Sequence, residues 1–246
     1  MTLNNTAILP VESPIRDFER LYITLRKQEQ RLYTDEQVTQ LPNIDALHVH
    51  YNEWKIRKHS ANRLIGYLSK KKRALNILEI GCGNGWLSAQ LAKIKGANVI
   101  GQDINRVEID QAKRVFHKNN LQFFCEDFNA ERFKDLRFDV IIFAASVQYF
   151  PSLKQILNHA LNCLSAGGEI HLIDTNFYNH SNIDSAKERT LVYYTKMGCP
   201  ELAAYYFHHL LDDLKGFDHQ ILANPNTIIN KLLKGNPFYW ISIKKK

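Results

Sequence analysis

Cysteine is scarce in this chain of 246 residues. Cys82, Cys125, Cys163 and Cys199 are far apart and form no C-x-x-C pair. That spacing argues against a disulfide framework and a cysteine zinc site, and for reduced thiols in a cytoplasmic protein. Long apolar runs are missing too, so no segment has the ~20 apolar residues that span a bilayer. Met1–Pro10 has no basic region followed by an apolar core, and no signal peptide is read there. The chain also lacks internal repeats and low-complexity tracts. His48, His50 and His59 are close in sequence, but no carboxylate stands at a familiar ligand spacing. They read as surface or interface histidines, and no metal is expected.

What is present is the composition of a soluble globular protein, 45% hydrophobic and 23% charged. The length suits one large domain, or one domain with an extension. The net charge is +7, and Lys70–Arg73 with Lys244–Lys246 carry seven positive charges between them. Both clusters read as solvated ends, so nucleic acid is not favoured as a partner.

The most informative stretch is Asn76-Ile-Leu-Glu-Ile-Gly-Cys-Gly-Asn-Gly-Trp-Leu87. An apolar run leads into an acid, three glycines at alternate positions and a helical pattern. These are the parts of a strand, a tight loop and a helix start, with main-chain N–H groups open to a ligand. Asn98–Asp103 reads as a second strand ending in an acid. Asp103 falls 22 residues after Gly81, where a ribose-binding carboxylate belongs in a βαβ nucleotide fold. Leu121–Cys125 is a third apolar run, followed by Glu126, Asp127 and Phe128. Phe138–Phe143 is a fourth.

The Glu79-x-Gly81-x-Gly83-x-Gly85 spacing resembles the first motif of the class I S-adenosylmethionine (SAM)-dependent methyltransferases. The Phe138-Asp139 pair and the Gly167-Gly168 before the next strand are also similar to that family. A dinucleotide dehydrogenase would need Gly-x-Gly-x-x-Gly. Here its third glycine position is Trp86, and an indole would obstruct close helix–strand packing.

The resemblance covers about residues 76–243. It implies an α/β fold: a Rossmann-like, seven-stranded, mostly parallel sheet with helices on both faces. An N-terminal helical extension over 1–75, a candidate lid, precedes a SAM-binding domain over 76–246. It also implies SAM as cofactor and S-adenosylhomocysteine (SAH) as product. Glu79, Gly81, Cys82, Gly83, Asn84 and Gly85 would shape the methionine end of the pocket. Asp103 and Ile104 would flank the ribose, and Asp127 and Phe128 the adenine, with Glu126 as the rival acid. Ala144 would face the cofactor from the loop after the fourth strand.

The chain pattern predicts helices over about 14–32, with a Ser13 cap, and over about 48–69. The helix after the glycine loop is expected to end near Lys95. Asn105 and Ser152 read as helix caps, the second helix stopping at 166–168 before a strand over 169–174. Two helices are expected over 183–215, and a helix over Asn226–Leu233 between strands at 217–222 and 238–243.

Methyl transfer from a sulfonium is an in-line displacement, and a general base is needed only where the acceptor must first lose a proton. The motifs therefore specify the cofactor better than the acceptor. Tyr149 or Gln148 would orient an acceptor, or Tyr149 simply packs the helix start. The 48–59 segment would lid the pocket through Tyr51, Trp54, Arg57 or His59. The aromatic run from Tyr193 to His209 is either acceptor pocket or core and dimer surface, which leaves a homodimer open. No Asn/Asp-Pro-Pro-Tyr/Phe sequence occurs, which counts against DNA-base amino methylation. A small-molecule acceptor is the expectation, with no membrane partner. RNA- or protein-directed methylation, and SAM binding without catalysis, are the alternatives.

Overall fold

A computed structural model describes residues 14–232 and 235–245. Ser13, the Met1–Pro10 segment, Leu233 and Lys246 lie outside the described residues. Seven strands form one sheet in the order β3-β2-β1-β4-β5-β7-β6. They are β1 (Leu75–Ile80), β2 (Ala97–Asp103), β3 (Leu121–Cys125), β4 (Phe138–Ala144), β5 (Leu164–Thr175), β6 (His219–Ala223) and β7 (Tyr239–Lys244). Pairings among β1 to β5 are parallel, and β7 runs antiparallel to both of its neighbours.

The sheet is buried on both faces because its strands are apolar at consecutive positions. Ile77, Val140 and Ile142 pack on one side with Leu64 and Leu68 of α3 (Tyr51–Ser69) and Ile109 of α5 (Arg106–Val115). Leu78, Ile141 and Phe143 point the other way, against Leu153, Ile156 and Leu157 of α6 (Leu153–Cys163). Val38 and Leu41, from and just after α2 (Asp35–Gln40), join the first core with Trp54, so part of the 1–75 segment packs directly on the sheet layer. No helix of the described residues is long and apolar enough to cross a membrane.

The caps act as the sequence predicts. Asn105 accepts from the Glu108 N–H, and Ser152 from that of Gln155. Four details differ from expectation. The helix after the glycine loop, α4, covers only Trp86–Leu91, because its last turn tightens through Lys93 N to Gln90 O and Ile94 N to Leu91 O. α6 stops at Cys163 rather than at 166–168, because Leu164 already pairs with Phe138 and starts β5 early. α2 was not foreseen, although Thr34 and Gln37 form a reciprocal capping box. After α7 (Ile183–Lys196), the expected second helix is two 3-10 segments, Pro200–Tyr205 and Leu211–Leu214. Tertiary bonds take its backbone instead: Phe207 N donates to Gln148 O at 2.7 Å, and Tyr178 N to His209 O at 3.0 Å. α1 (Pro14–Gln28) and α8 (Ile228–Leu232) complete the described helices.

Candidate functional site

Strand order reverses between β1 and β4, so a crevice opens beyond their carboxyl ends, where open α/β sheets hold ligands. A cavity of about 450 Å³ lies there. Its floor is the loop after β1. Gly81 N and Cys82 N both donate to Gln102 O, at 2.8 and 3.0 Å, which ties the loop to the end of β2. A Cβ on Gly81 would sit 2.4 Å from the Ser146 Cβ, so the β1 and β4 loops approach as only glycine permits. Backbone strain marks the same edge: Ala145 and Asp174, just past β4 and near the end of β5, have φ of 53° and 54°.

The structure brings most of the sequence-predicted residues together. Glu79, Gly81, Cys82, Gly83, Asn84, Asp103, Ile104, Asp127, Phe128, Ala144 and Tyr149 line the cavity. Gly85 lies behind it, packed on Phe123 and Ala112. Gln148 is turned away, its amide donating to Ala145 O at 2.6 Å and accepting from Thr175 Oγ1 at 3.3 Å. Of the expected lid residues, Trp54 and Arg57 reach the cavity, whereas Tyr51 and His59 are not among its lining. Of the aromatic run, Tyr205 and Phe207 line the wall. Tyr194 is buried in a small core with Leu25, Cys199 and Leu202. His50 bonds Glu29 O at 2.7 Å, and its N–H donates to His48 Nδ1 at 3.0 Å.

Asp103 spans the cavity edge. Its two oxygens accept from Gly83 N and Asn105 N, both at 2.8 Å. Burial raises its pKa, and those backbone donors oppose the rise. Glu126 accepts from Arg132 Nε at 3.0 Å, which engages one of the two rival acids. Asp127 accepts from its neighbour's N–H, Phe128 N at 2.8 Å.

Glu79 is buried beneath the loop and accepts from Ser88 Oγ. Burial pushes its carboxyl up to about 8. The folded protein thus holds a proton that the unfolded chain, at its ordinary 4.5, has released. Stability from this group is complete below pH 4.5 and is lost as pH rises through 8. Glu79→Gln removes that loss. Relative to the parent, the variant gains on the order of a few kcal/mol between pH 5 and pH 8. Urea unfolding at the two values tests this, and a pH-independent gap would sink it.

The sequence reading named lid residues only within 48–59, and α1 forms a further part of the cover over the cavity. Phe18, Glu19, Tyr22 and Arg26 of α1 line it, together with Arg31 and Tyr33. Phe18 meets Tyr149 and Tyr205 at centroid distances of 5.5 and 5.4 Å, and Tyr22 meets Tyr149 edge-on at 5.9 Å. Arg106 N donates to Glu19 Oε1 at 2.7 Å, pinning α1 to the start of α5. The signal was the spacing of four: Phe18, Tyr22 and Arg26 share one helical face.

The cavity has polar groups for a polar ligand to satisfy. Gln102 Oε1 and Asn105 Nδ2 are buried on its wall without a partner among the described residues. Glu53 sits between Arg31 and Arg57, accepting from Arg57 Nε at 2.9 Å. Burial alone would raise Glu53, but the two guanidiniums hold it at about 2. An acid between two cations complements a zwitterionic amino-acid end, and Asp103 complements a vicinal diol. The residues present therefore fit SAM.

Residues 71–231 match the family described as a methyltransferase domain. The chain belongs to this family, the class I SAM-dependent methyltransferases. It is similar to a malonyl-[acyl-carrier protein] O-methyltransferase of Bacillus anthracis, 30% identical over 49% of this chain and 46% of the relative. The match thus spans about half the length of that curated relative. Among solved structures, the fold is shared with the plantazolicin methyltransferase in complex with SAH. There the TM-score is 0.54 and identity 17%, covering 94% of this chain and 98% of that one. It is shared too with the magnesium protoporphyrin IX methyltransferase of Synechocystis with bound SAM. That TM-score is 0.55 at 13% identity, over 91% and 97% of the two chains.

Proposed function

We propose that this protein transfers the methyl group of SAM to a small-molecule acceptor. The observation that carries the reading is the single cavity that joins the glycine loop, Asp103 and Asp127 to an aromatic wall around Tyr149. SAM supplies an electrophilic methyl on a sulfonium. The residues do the rest. Gly81 and Gly83 let the backbone meet the methionine end, with Cys82 and Asn84 beside it. Glu53 takes the ammonium and Arg57 the carboxylate. Asp103, flanked by Ile104, binds the ribose hydroxyls, and Asp127 with Phe128 the adenine. The described part of the 1–75 extension, from α1 onward, acts as a cover on the SAM-binding unit that follows it, with Phe18 and Tyr22 excluding water from the methyl group.

The apolar, aromatic lining around Tyr149 supports a small acceptor. Four free cysteines support a cytoplasmic setting. A homodimer would bury the exposed Leu191, Val192 and Tyr193 of α7, and sedimentation tests it.

The reading is tested by incubating the protein with methyl-labelled SAM and a cell extract. Label is expected in low-mass products. Label confined to RNA or protein would replace the small-molecule reading with a macromolecular one. Trp54 supplies a narrower test. It donates to Tyr33 Oη at 2.8 Å and meets Trp86 edge-on at 5.3 Å. Trp54→Ala should weaken SAH binding roughly tenfold, the value of about 1.5 kcal/mol of lost apolar wall. Unchanged affinity in calorimetry would remove α3 from the site.

A further inference from the structure

We propose that Asp174 is a positioning residue for the amino-acid end of SAM, acting through the Ser60 hydroxyl to fix where α3 holds Glu53 and Arg57 in the cavity. This role depends on Glu53 and Arg57 receiving that end of the cofactor. Glu53, Arg57, Ser60, Leu64 and Leu68 follow one another along α3 at steps of three or four, so they share one helical face. The two leucines are fully buried in the core on the sheet, and Glu53 and Arg57 line the cavity. Ser60 lies between these two halves. It is buried, where an apolar residue would continue the packing stripe.

Ser60 is clamped from two sides. Its hydroxyl donates to Asp174 Oδ1 and accepts from Asn236 Nδ2 at 2.6 Å. Asn236 is itself held, its Oδ1 accepting from Phe238 N at 2.9 Å and its O from Asn230 Nδ2 at 3.0 Å. The end of β5 and the turn before β7 thus grip one point of α3, a single helical turn from Arg57. The Ser60 hydroxyl has one proton, and Asp174 is the acceptor that takes it.

Packing alone does not explain Asp174. It is buried, and its φ of 54° is left-handed backbone that residues with a side chain adopt at a cost. A carboxylate in that place loses hydration that an apolar residue would not need. Strain and a buried charge at one position, beside a ligand cavity, mark function. Burial pushes the carboxyl up to about 6, and the positive Arg57 is the chief influence against that rise, so the two groups feel each other. Asp174 is not part of the cavity lining, so it reaches a ligand through α3 and not by contact. Arg57 donates to Glu53 Oε1 through Nε at 2.9 Å, which leaves its terminal amino groups for a ligand carboxylate. A fork of this kind tolerates little displacement of the helix that carries it. Asp103 and Asp127 sit at the ends of other strands, so the nucleoside end of the cofactor is placed independently of this clamp.

Calorimetry with SAH and with 5′-methylthioadenosine, the same thioether nucleoside without the amino-acid end, tests the proposal. Asp174→Gly removes the carboxylate and relieves the backbone. It should weaken SAH about tenfold, as for one lost hydrogen bond, and leave methylthioadenosine within about twofold. Ser60→Ala should give the same split, and the double variant should lose no more than either single one. Asp174→Asn keeps an oxygen for the Ser60 hydroxyl and suits left-handed backbone, so SAH affinity should return to within about threefold of the parent. Retained methylthioadenosine binding shows that each variant is folded. Equal losses for the two ligands, unchanged SAH affinity, additive losses in the double variant, or an asparagine variant as weak as the glycine one would overturn the proposal. Failure of the underlying readings looks different. A parent protein that binds the two ligands equally takes the amino-acid end away from Glu53 and Arg57, and one that binds neither removes SAM.

Discussion

Asp103→Ala weakens SAH binding by about a hundredfold, roughly 3 kcal/mol, the value of two hydrogen bonds to a charged acceptor. Asp103 is held at the end of β2 by Gly83 N and Asn105 N, so its carboxylate is fixed before any ligand arrives. Preorganisation of this kind means that affinity is lost with the side chain, not regained by local adjustment. Asp103→Asn is the control. Its amide oxygen still accepts one backbone N–H, which preserves the loop while removing the negative charge. An intermediate loss is expected for it. Calorimetry on both variants measures the effect, and a change of less than about threefold for alanine would take the ribose role away from Asp103.

The second large effect is on stability. Gly85→Ala should cost about 2–5 kcal/mol, from two sources that add. Gly85 has a φ of 75°, where an L side chain is strained. A Cβ there would also lie 2.6 Å from the Phe123 ring and 2.9 Å from the Ala112 Cβ. Neither neighbour is a flexible tip, since both belong to the packed β3–α5 layer. For a chain of this size the melting temperature should fall by about 5–15 °C. Gly167→Ala separates the two sources. Gly167 has a φ of 71° but open space around its Cβ direction, so only the backbone strain remains, about 1 kcal/mol. Equal losses at the two positions would show that packing around Gly85 carries nothing.

These two predictions concern the part of the molecule that sequence reasoning reaches best. Gly81, Gly83 and Gly85 mark a loop because their backbone conformations exclude other residues. Asp103 is legible because it lies a fixed strand–helix–strand distance from them. The strands are legible because their apolar runs are buried on both faces. The α1 part of the cover was not. Phe18, Tyr22 and Arg26 make an ordinary amphipathic face, and nothing local says that the face closes on Tyr149. The 200–215 region misled for a related reason. Its aromatic residues suit a helix, but bonds from distant strand ends claim its backbone and leave only 3-10 turns. Gln148 and Tyr149 were equal candidates in sequence. A single 3-10 turn, Val147–Tyr149, puts one ring in the cavity and turns the other side chain into the protein.

The central claim is that the crevice between β1 and β4 is a SAM site. Titration of the purified protein with SAH, and separately with NADH, tests it most directly. The account predicts one SAH bound per chain and no heat from NADH, whose diphosphate needs the glycine spacing that Trp86 interrupts. Binding of NADH, or of neither ligand, would contradict it.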